Sequence, residues 1–463
     1  SNESSKELIL SAVFGSGSAD NTRFGLRTVA YFAGNYVDAL WGIPTYCWEY
    51  QTQPSSGVHG NDRAFDVYTN KLADSRFQKS FHLEYKTALM GGGTSSPGEN
   101  LDYHAYNSDQ NKTYVWTEEQ ADYFNENIWN SYKRESYNGR KAVKGEHKMG
   151  SGDLAFAFLE NTKATAIDMD EALAQPFVVF ARWLKKDGKY YYRPTIKADA
   201  YEGATKHGYT NANFYGLETG NHRSGQPIIL KYDDPNRTSY ISFYATRDIP
   251  VFRLAETYLL RAEAYGRKEG SGSANAIADI NKVRTRAAFK TGEQRNEVLA
   301  RLYPGKESLV EEERMWPYEV RKDMISEMLV DASYWDGASE KSKAENYPST
   351  ATTDLQRFLH FIYNELAREM NQEFIYSENV RHSGLLADRI IYNNQIASPQ
   401  RNLWDKADNL NEKGQGQDGN GKGFFEPFNI WRPFPQTFID QLTDQNGALL
   451  DEAGKKAYQN YGY

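Results

Sequence analysis

The chain has 463 residues, enough to bury a large core as one large domain or as two or three smaller ones. A net charge of −8 excludes a general nucleic-acid binder, because a phosphate backbone demands a positive protein face. The single cysteine, Cys47, excludes an internal disulfide framework and a cysteine-rich zinc site. No apolar run reaches the roughly 18 residues of a membrane helix. The chain has an unusually large number of tyrosines, 33, and a tyrosine ring can pack in the core or lie partly exposed at a binding surface.

The first half of the chain is predicted to consist of strands, loops and one clear helix start. KELILSAVF at residues 6–14 predicts a strand, whereas residues 31–60 are aromatic and loop-like. A helix should begin at Thr117, since Gln120 completes a capping box. Short strand-like runs then alternate with Gly, Asn and Asp turns over residues 177–244.

The stretch VFRLAETYLLRAEAYGRKEGSGSANAIADINKVRTRAAF, residues 251–289, predicts two antiparallel helices joined by a short turn. Ser273 can cap the second helix. The first apolar face comprises Phe252, Ala255, Leu259, Ala262 and Gly266, and the second Ile277, Ile280, Val283 and Ala287. Tetratricopeptide-like spacing is approximated by Tyr258, Ala262, Tyr265 and Ala274. One such unit cannot bury its own face, so it must pack on other helices.

A partner helix is predicted to begin at Thr353, where Gln356 again completes a capping box. Its apolar stripe is Leu355, Leu359, Ile362 and Leu366. Residues 300–350, which separate this helix from the hairpin, are predicted to form a loop-rich insertion, or excursion, between the scaffold helices.

Several of these stretches together resemble the SusD/RagB family. FRLAETYLLRAEAYGRKEG and AIADINKVRTRAAF resemble the two motif helices of that family, and FIYNELAREMNQEF resembles a third. NIWRPFPQTFID is similar to the Trp-Pro-Ile-Pro-Gln element, and YQNYGY is similar to the family's C-terminus. SSKELILSAVF and LADSRFQKSF also resemble family elements, and all of them follow the family order.

The resemblance implies a mainly α fold, in which a tetratricopeptide-type helical scaffold carries long irregular loops and a few short strands. It implies a single domain over residues 1–463: a mixed lobe at 1–250, scaffold helices at 251–289 and 353–391, and a loop-rich lobe at 300–350 and 392–463. Family members normally begin with a lipid-bearing cysteine and a long helical segment. Cys47 lies too far into the chain for that cysteine, so we expect those helices to be missing, cleaved or supplied by a separate chain.

The resemblance also implies a function: non-catalytic glycan capture on the extracellular face of the outer membrane, without a cofactor. The glycan would pass to a TonB-dependent transporter of the SusC type, and membrane attachment would need a lipid anchor that this sequence lacks. Two alternatives stay open. One is peptide capture, as in the RagB branch, and the other is a glycoside hydrolase with dispersed carboxylates.

Aromatic residues on loops are the candidate glycan-binding residues, because the apolar face of a sugar ring stacks on Trp or Tyr. The first cluster is Trp41, Tyr46, Trp48 and Tyr50, flanked by Asn35 and Asp38. The second is Trp316, Tyr318, Tyr334 and Trp335, with Asp336. A weaker third is Tyr103, Tyr106 and Trp116. The competing interpretation is that these rings are core residues.

The charged residues of the motif helices are predicted to form interhelical ion pairs and hydrogen bonds rather than a catalytic site. They are Glu256, Arg261, Glu263, Arg284 and Arg286 on the hairpin, with Glu365, Glu369 and Glu373 on one face of the partner helix. The eight histidines show no metal-binding spacing, so no metal site is predicted.

Overall fold

The fold is mainly helical, with a few short strands, as the sequence predicted. The computed structural model describes residues 7–12, 35–38, 45–48, 62–86, 118–123, 126, 143–145, 154–173, 178–199, 212–219, 227–231, 248–295, 318–319, 323–371, 373, 379–390, 427–431 and 433–460. Every structural statement below concerns those residues. No helix within them combines the length and the apolar character needed to cross a bilayer.

The helices are, in chain order, α1 Asp62–Asp66, α2 Ser75–Ser80, α3 Glu118–Tyr123, α4 Met169–Leu173, α5 Leu254–Glu269, α6 Ala274–Ala287, α7 Ile325–Met328, α8 Glu340–Ala344, α9 Asp354–Glu369, α10 Leu386–Ile390, α11 Gln436–Ile439 and α12 Glu452–Tyr458. Single 3₁₀ turns lie at Lys163–Thr165, Ala332–Tyr334 and Pro427–Ile430.

The strands are β1 Leu8–Ala12, β2 Asn35–Asp38, β3 Thr45–Trp48, β4 Phe81–His82, β5 Glu84–Lys86, β6 Leu154–Leu159, β7 Ile167–Asp168, β8 Val178–Ala181, β9 Trp183–Lys186, β10 Lys189–Tyr192, β11 Pro194–Asp199, β12 Ala212–Thr219, β13 Ile228–Ile229, β14 Ile249–Arg253, β15 Gln294–Arg295 and β16 Tyr318–Glu319. They form small separate sheets, ordered β1-β14, β10-β9-β7, β11-β12, β13-β4, β15-β16, β2-β3 and β5-β6-β8.

The predicted helical hairpin is present as α5 and α6. Gly270 ends α5 with a φ of 91°, a left-handed conformation that suits glycine. The Ser273 hydroxyl accepts from the Ala276 amide and caps α6, which confirms the predicted cap. Two details differ from the sequence prediction. Strand β14 runs to Arg253, so α5 begins later than predicted, and the small residue buried between the helices is Ala276 rather than Ala274.

Helix α9 covers the hairpin and completes the main core. Its Thr353–Gln356 capping box has both reciprocal hydrogen bonds, as predicted. Leu359, Ile362 and Leu366 are buried, whereas Leu355 lies partly in solvent. Side chains on most sides of α9 are buried. The Phe358 ring packs against Gly266 of α5, where the absence of a side chain leaves room for it. Among the described residues, this hairpin therefore buries its apolar faces against α9 and residues 330–335, because one repeat unit cannot bury its own face.

A second, smaller core lies among the strands. Leu159 and Val179 from the β5-β6-β8 sheet pack with Leu184 of β9, with Ile167 and with Ala172 of α4. Within residues 31–60 the structure places the hairpin β2-β3, where the sequence had predicted loop. The division into lobes and the single-domain boundary stay predictions.

Candidate functional site

The first predicted aromatic cluster lies on and beside the hairpin β2-β3. Tyr46 and Trp48 occupy alternate positions of β3, and the register pairs Trp48 with Asn35, one of the flanking polar residues. The other flanking residue, Asp38, pairs with Thr45. Trp41 and Tyr50 lie outside the described residues. Two of the four rings thus share one short strand of a hairpin.

The second predicted cluster is divided by the fold. Tyr318 lies in β16, opposite Arg295 of β15, and Trp316 lies outside the described residues. Tyr334 and Trp335, in contrast, belong to the main core, where Trp335 is only 1% exposed. A sealed ring offers no face to a sugar, so the prediction that these two residues contact a glycan is wrong.

The surroundings of Trp335 give the physical reason for its burial. The indole N–H donates to the Ser271 carbonyl at 3.1 Å, so its polar end is satisfied inside the protein. Phe358 lies edge-on at 5.0 Å between ring centroids, and Phe361 lies at 5.4 Å. Val330, Tyr334 and Trp335, beside and within the 3₁₀ turn at Ala332–Tyr334, pack with α9 in the main core, where the sequence had predicted loop.

Asp336, the polar member of the second cluster, is exposed but already engaged. Its carboxylate accepts from the Ala338 and Ser339 amides at 2.8 and 2.9 Å. These backbone hydrogen bonds lower the pKa of Asp336 below its usual value. The side chain therefore stabilises a local turn. The third cluster, Tyr103, Tyr106 and Trp116, lies outside the described residues.

Buried charges on α9 join the scaffold to distant parts of the chain. The Glu365 carboxylate pairs with Arg76 of α2 at 2.8 Å, with Arg284 of α6 at 2.7 Å and with Arg368 at 2.7 Å. One helical turn later, Glu369 pairs with Arg286 of α6, with Arg253 at the end of β14 and with Arg76.

This network is electrically balanced among the described residues. Six cationic side chains meet six carboxylates. The cations are Arg76, Lys231, Arg253, Arg284, Arg286 and Arg368, and the carboxylates are Glu7, Asp74, Glu345, Glu365, Glu369 and Glu373. A balanced buried network needs no charged ligand to compensate it, which is typical of a structural role.

The protonation state of Glu365 and Glu369 follows from this environment. Burial alone would raise both pKa values, but the surrounding guanidinium groups outweigh it and hold them well below the usual range. A glycosidase acid needs the opposite, a carboxyl group whose pKa is raised. The ion pairs predicted for Glu365 and Glu369 with the arginines of α6 are therefore present.

The remaining charged residues of the motif helices are also engaged. Arg261 of α5 pairs with Asp279 of α6 at 2.7 Å, which ties the two helices together. Glu263 pairs with Arg267 and accepts from the Tyr363 hydroxyl of α9 at 2.9 Å. Glu256 accepts from the Asn379 side chain at 2.7 Å. The predicted hydrogen bonds and ion pairs are confirmed.

A second buried network fixes α1 to the β9-β10 hairpin. Asp62 pairs with Arg193 at 2.8 Å and with Arg182 at 3.3 Å. Burial raises the pKa of Asp62, but the two arginines, helped by the Tyr192 hydroxyl, prevail and lower it to about 2. Among the described residues of this network the positive and negative charges are again equal in number. The cations are Lys71, Arg182 and Arg193, and the carboxylates are Asp62, Asp66 and Glu160.

One group of exposed rings was not predicted from the sequence. Trp431, Phe434 and Phe438 belong to the NIWRPFPQTFID stretch, which served only as a family motif. All three are exposed in the structure. The signal that could have found them is the Pro-Phe-Pro run, because prolines on both sides of an aromatic residue hold it in an extended or turn conformation.

The geometry of the described residues first defines a class: a helical scaffold in which an antiparallel hairpin is closed by a third helix and held by buried ion pairs. A comparison with protein families then identifies the family, since the SusD family model matches residues 6–316. The chain belongs to the SusD family. Members of this family are generally nutrient-binding proteins of the outer membrane, and they are typically non-catalytic. A search of curated proteins finds no match to the chain.

Proposed function

We propose that the protein captures a glycan at the cell surface without cleaving it and passes it to a TonB-dependent transporter of the SusC type. The observation that carries this proposal is the family match over residues 6–316, more than half of the chain. Surface display on the outer membrane and pairing with a transporter come to this chain from the family's general properties.

Glycan contact is assigned in this proposal to the residues of the first two predicted aromatic clusters other than the buried Tyr334 and Trp335. These are Trp41, Tyr46, Trp48, Tyr50, Trp316 and Tyr318. The register of β2-β3 supports the first cluster, because Asn35 lies directly opposite Trp48. An amide beside an aromatic ring is a useful pair, since the ring stacks on the sugar while the amide hydrogen-bonds to its hydroxyl groups.

The scaffold's contribution is rigidity. Each buried network joins elements that are far apart in sequence, as Arg76 of α2 does with Glu365 of α9. In general, a rigid frame positions binding residues before the ligand arrives, which reduces the entropy lost on binding.

The test is calorimetric titration of the intact chain with a panel of oligosaccharides and, separately, of peptides. The proposal predicts heat with at least one oligosaccharide and no shortened products in the recovered ligand. Trp48→Ala should weaken that binding, whereas Leu329→Ala, which removes an exposed side chain without a ring, should not. Binding of peptides alone would favour the peptide-capture alternative, and shortened oligosaccharides would favour a hydrolase.

A further inference from the structure

Asn446 and Gly447 form the one Asn-Gly pair within the described residues. The sequence contains two others, Asn138–Gly139 and Asn420–Gly421, which lie outside them. An asparagine followed by glycine can lose its side-chain amide without an enzyme. The reason is that glycine has no Cβ atom to hinder attack by its backbone nitrogen on the preceding side chain. Asn446 is therefore a candidate modification site whose surroundings the structure shows.

The pair lies at the tip of a tight turn. Thr443 and Leu449 form an antiparallel bridge, and the Asp444 amide donates to the Ala448 carbonyl at 2.8 Å. Gly447 has a φ of 83°, a left-handed conformation that suits glycine and lets the chain reverse here. The backbone on both sides of Asn446 is thus held in one conformation.

The two groups that would react are in opposite situations. The Asn446 side chain is exposed and makes no hydrogen bond with another described residue. The Gly447 nitrogen, in contrast, donates to the Asp444 carbonyl at 3.1 Å. Attack of this nitrogen on the Asn446 side chain therefore requires that the hydrogen bond open first.

The Asp444 carboxylate keeps the turn closed. Its Oδ1 atom accepts from the Asn446 amide at 2.8 Å and from the Ala448 amide at 3.0 Å. These backbone hydrogen bonds lower the pKa of Asp444 below its usual value, so the carboxylate is charged at neutral pH. Hydrogen bonds to a charged group are stronger than those between neutral groups. Asp444 thus fixes the residues on both sides of the Gly447 nitrogen.

We propose that Asn446 is a site of spontaneous deamidation and that Asp444 controls its rate by holding the turn closed. When the turn opens, the Gly447 nitrogen bonds to the side-chain carbonyl carbon of Asn446 and gives up its proton, and the side-chain nitrogen leaves as ammonia. Water then opens the resulting five-membered imide at either of its two carbonyl groups. The products are aspartate and isoaspartate, and no oxidant or reductant is needed.

Isoaspartate has a structural consequence for this turn. It routes the main chain through the former side chain of Asn446 and so adds one methylene group to the backbone. The Thr443–Leu449 bridge and the two backbone hydrogen bonds to the Asp444 carboxylate fit the shorter turn, so we expect them to break. Deamidation therefore opens the turn that had slowed it.

The first experiment follows deamidation of the folded protein at neutral pH by peptide mass spectrometry. Asn446 should be converted slowly in the wild type and about tenfold faster in Asp444→Ala, because the hydrogen bonds that close the turn are lost. Asp444→Asn is the matched control. Its side-chain oxygen can still accept both hydrogen bonds, so its rate should stay within about threefold of the wild type. Asn275 is an internal control, since the amide of the next residue, Ala276, is bound to Ser273 in the α6 cap.

A second measurement needs no variant. In guanidinium chloride the wild type is unfolded, and all three Asn-Gly pairs should be converted at similar rates. Asn446 should then react about tenfold faster than in the folded protein, because its turn no longer exists. In both states the rate should rise with pH, since the Gly447 nitrogen must lose its proton.

The outcomes decide the proposal. Equal rates of Asn446 conversion in the wild type and Asp444→Ala, or in the folded and unfolded wild type, would overturn control by the turn. An Asn446 that stays intact in every sample would overturn the site itself. Neither result bears on glycan capture, so this inference and the proposed function fail independently.

Discussion

The substitution Gly266→Ala tests how closely α5 and α9 pack. A Cβ atom at Gly266 would lie 2.1 Å from Cε1 of Phe358 and 2.8 Å from its Cδ1 and Cζ atoms. Phe358 is fully buried and lies edge-on to Trp335 with 5.0 Å between centroids, so its ring has no free space into which to move.

The expected magnitude follows from two opposed terms. Overpacking a core costs about 1–3 kcal/mol, and a contact this short belongs at the upper end. Alanine gains up to about 1 kcal/mol over glycine in a helix interior. We therefore expect Gly266→Ala to lower the free energy of unfolding by about 2 kcal/mol.

The assay is urea unfolding followed by far-UV circular dichroism. Gly272→Ala is the matched control, because a Cβ atom there meets nothing within 4 Å and the φ angle is ordinary. Its free energy of unfolding should stay within about 0.5 kcal/mol of the wild type. Phe358→Leu combined with Gly266→Ala should be more stable than the sum of the single effects predicts, because the smaller side chain makes room. A Gly266→Ala protein as stable as the wild type would refute the close packing of these helices.

Three further predictions follow from the core. Glu365→Gln should destabilise the protein by about 3–5 kcal/mol in urea unfolding, because it leaves buried guanidinium groups uncompensated, whereas the exposed Glu340→Gln should leave stability unchanged. Burial, reinforced by two nearby arginines, lowers the pKa of His360 to about 3. As the pH falls below about 6.5, His360 is therefore protonated in the unfolded chain while it stays neutral in the folded protein. Stability should then decline between pH 7 and pH 5 by up to about 1.4 kcal/mol per pH unit, and an unchanged slope in His360→Gln would contradict this assignment. Trp335→Ala should lower the free energy of unfolding by about 3–5 kcal/mol, because the ring is buried. Trp48→Ala, in contrast, should weaken glycan binding and leave the melting temperature unchanged. A Trp335→Ala protein as stable as the wild type, together with a destabilised Trp48→Ala protein, would refute the placement of Trp335 in the core.

Local signals explain what the sequence could predict about the fold. The Ser273 cap and the Thr353 capping box involve residues close together in the chain, and both are present as predicted. The apolar face of α5 was also correct from Ala255 to Gly266, because helical periodicity is a local property. The start of α5 was not predicted, since pairing of β14 with the distant β1 extends the strand to Arg253.

Long-range packing explains what the sequence could not predict about the site. Tyr334 and Trp335 stand in a polar stretch that looks like a loop, and only contact with α9 shows that their rings are buried. The ion pairs of Arg284 and Arg286 were expected, but the contribution of Arg76 from α2 depends on tertiary structure. The Phe434 backbone is likewise hydrogen-bonded by the side chain of Gln459, far along the chain.

Native mass spectrometry of the intact protein with mixed neutral oligosaccharides tests the central claim most directly, because one spectrum reports both binding and ligand integrity. Non-catalytic capture predicts complexes whose mass equals the protein plus an intact oligosaccharide, with the masses of the free sugars unchanged over time. Shortened sugars, or a protein that never forms a complex with any oligosaccharide, would contradict non-catalytic glycan capture.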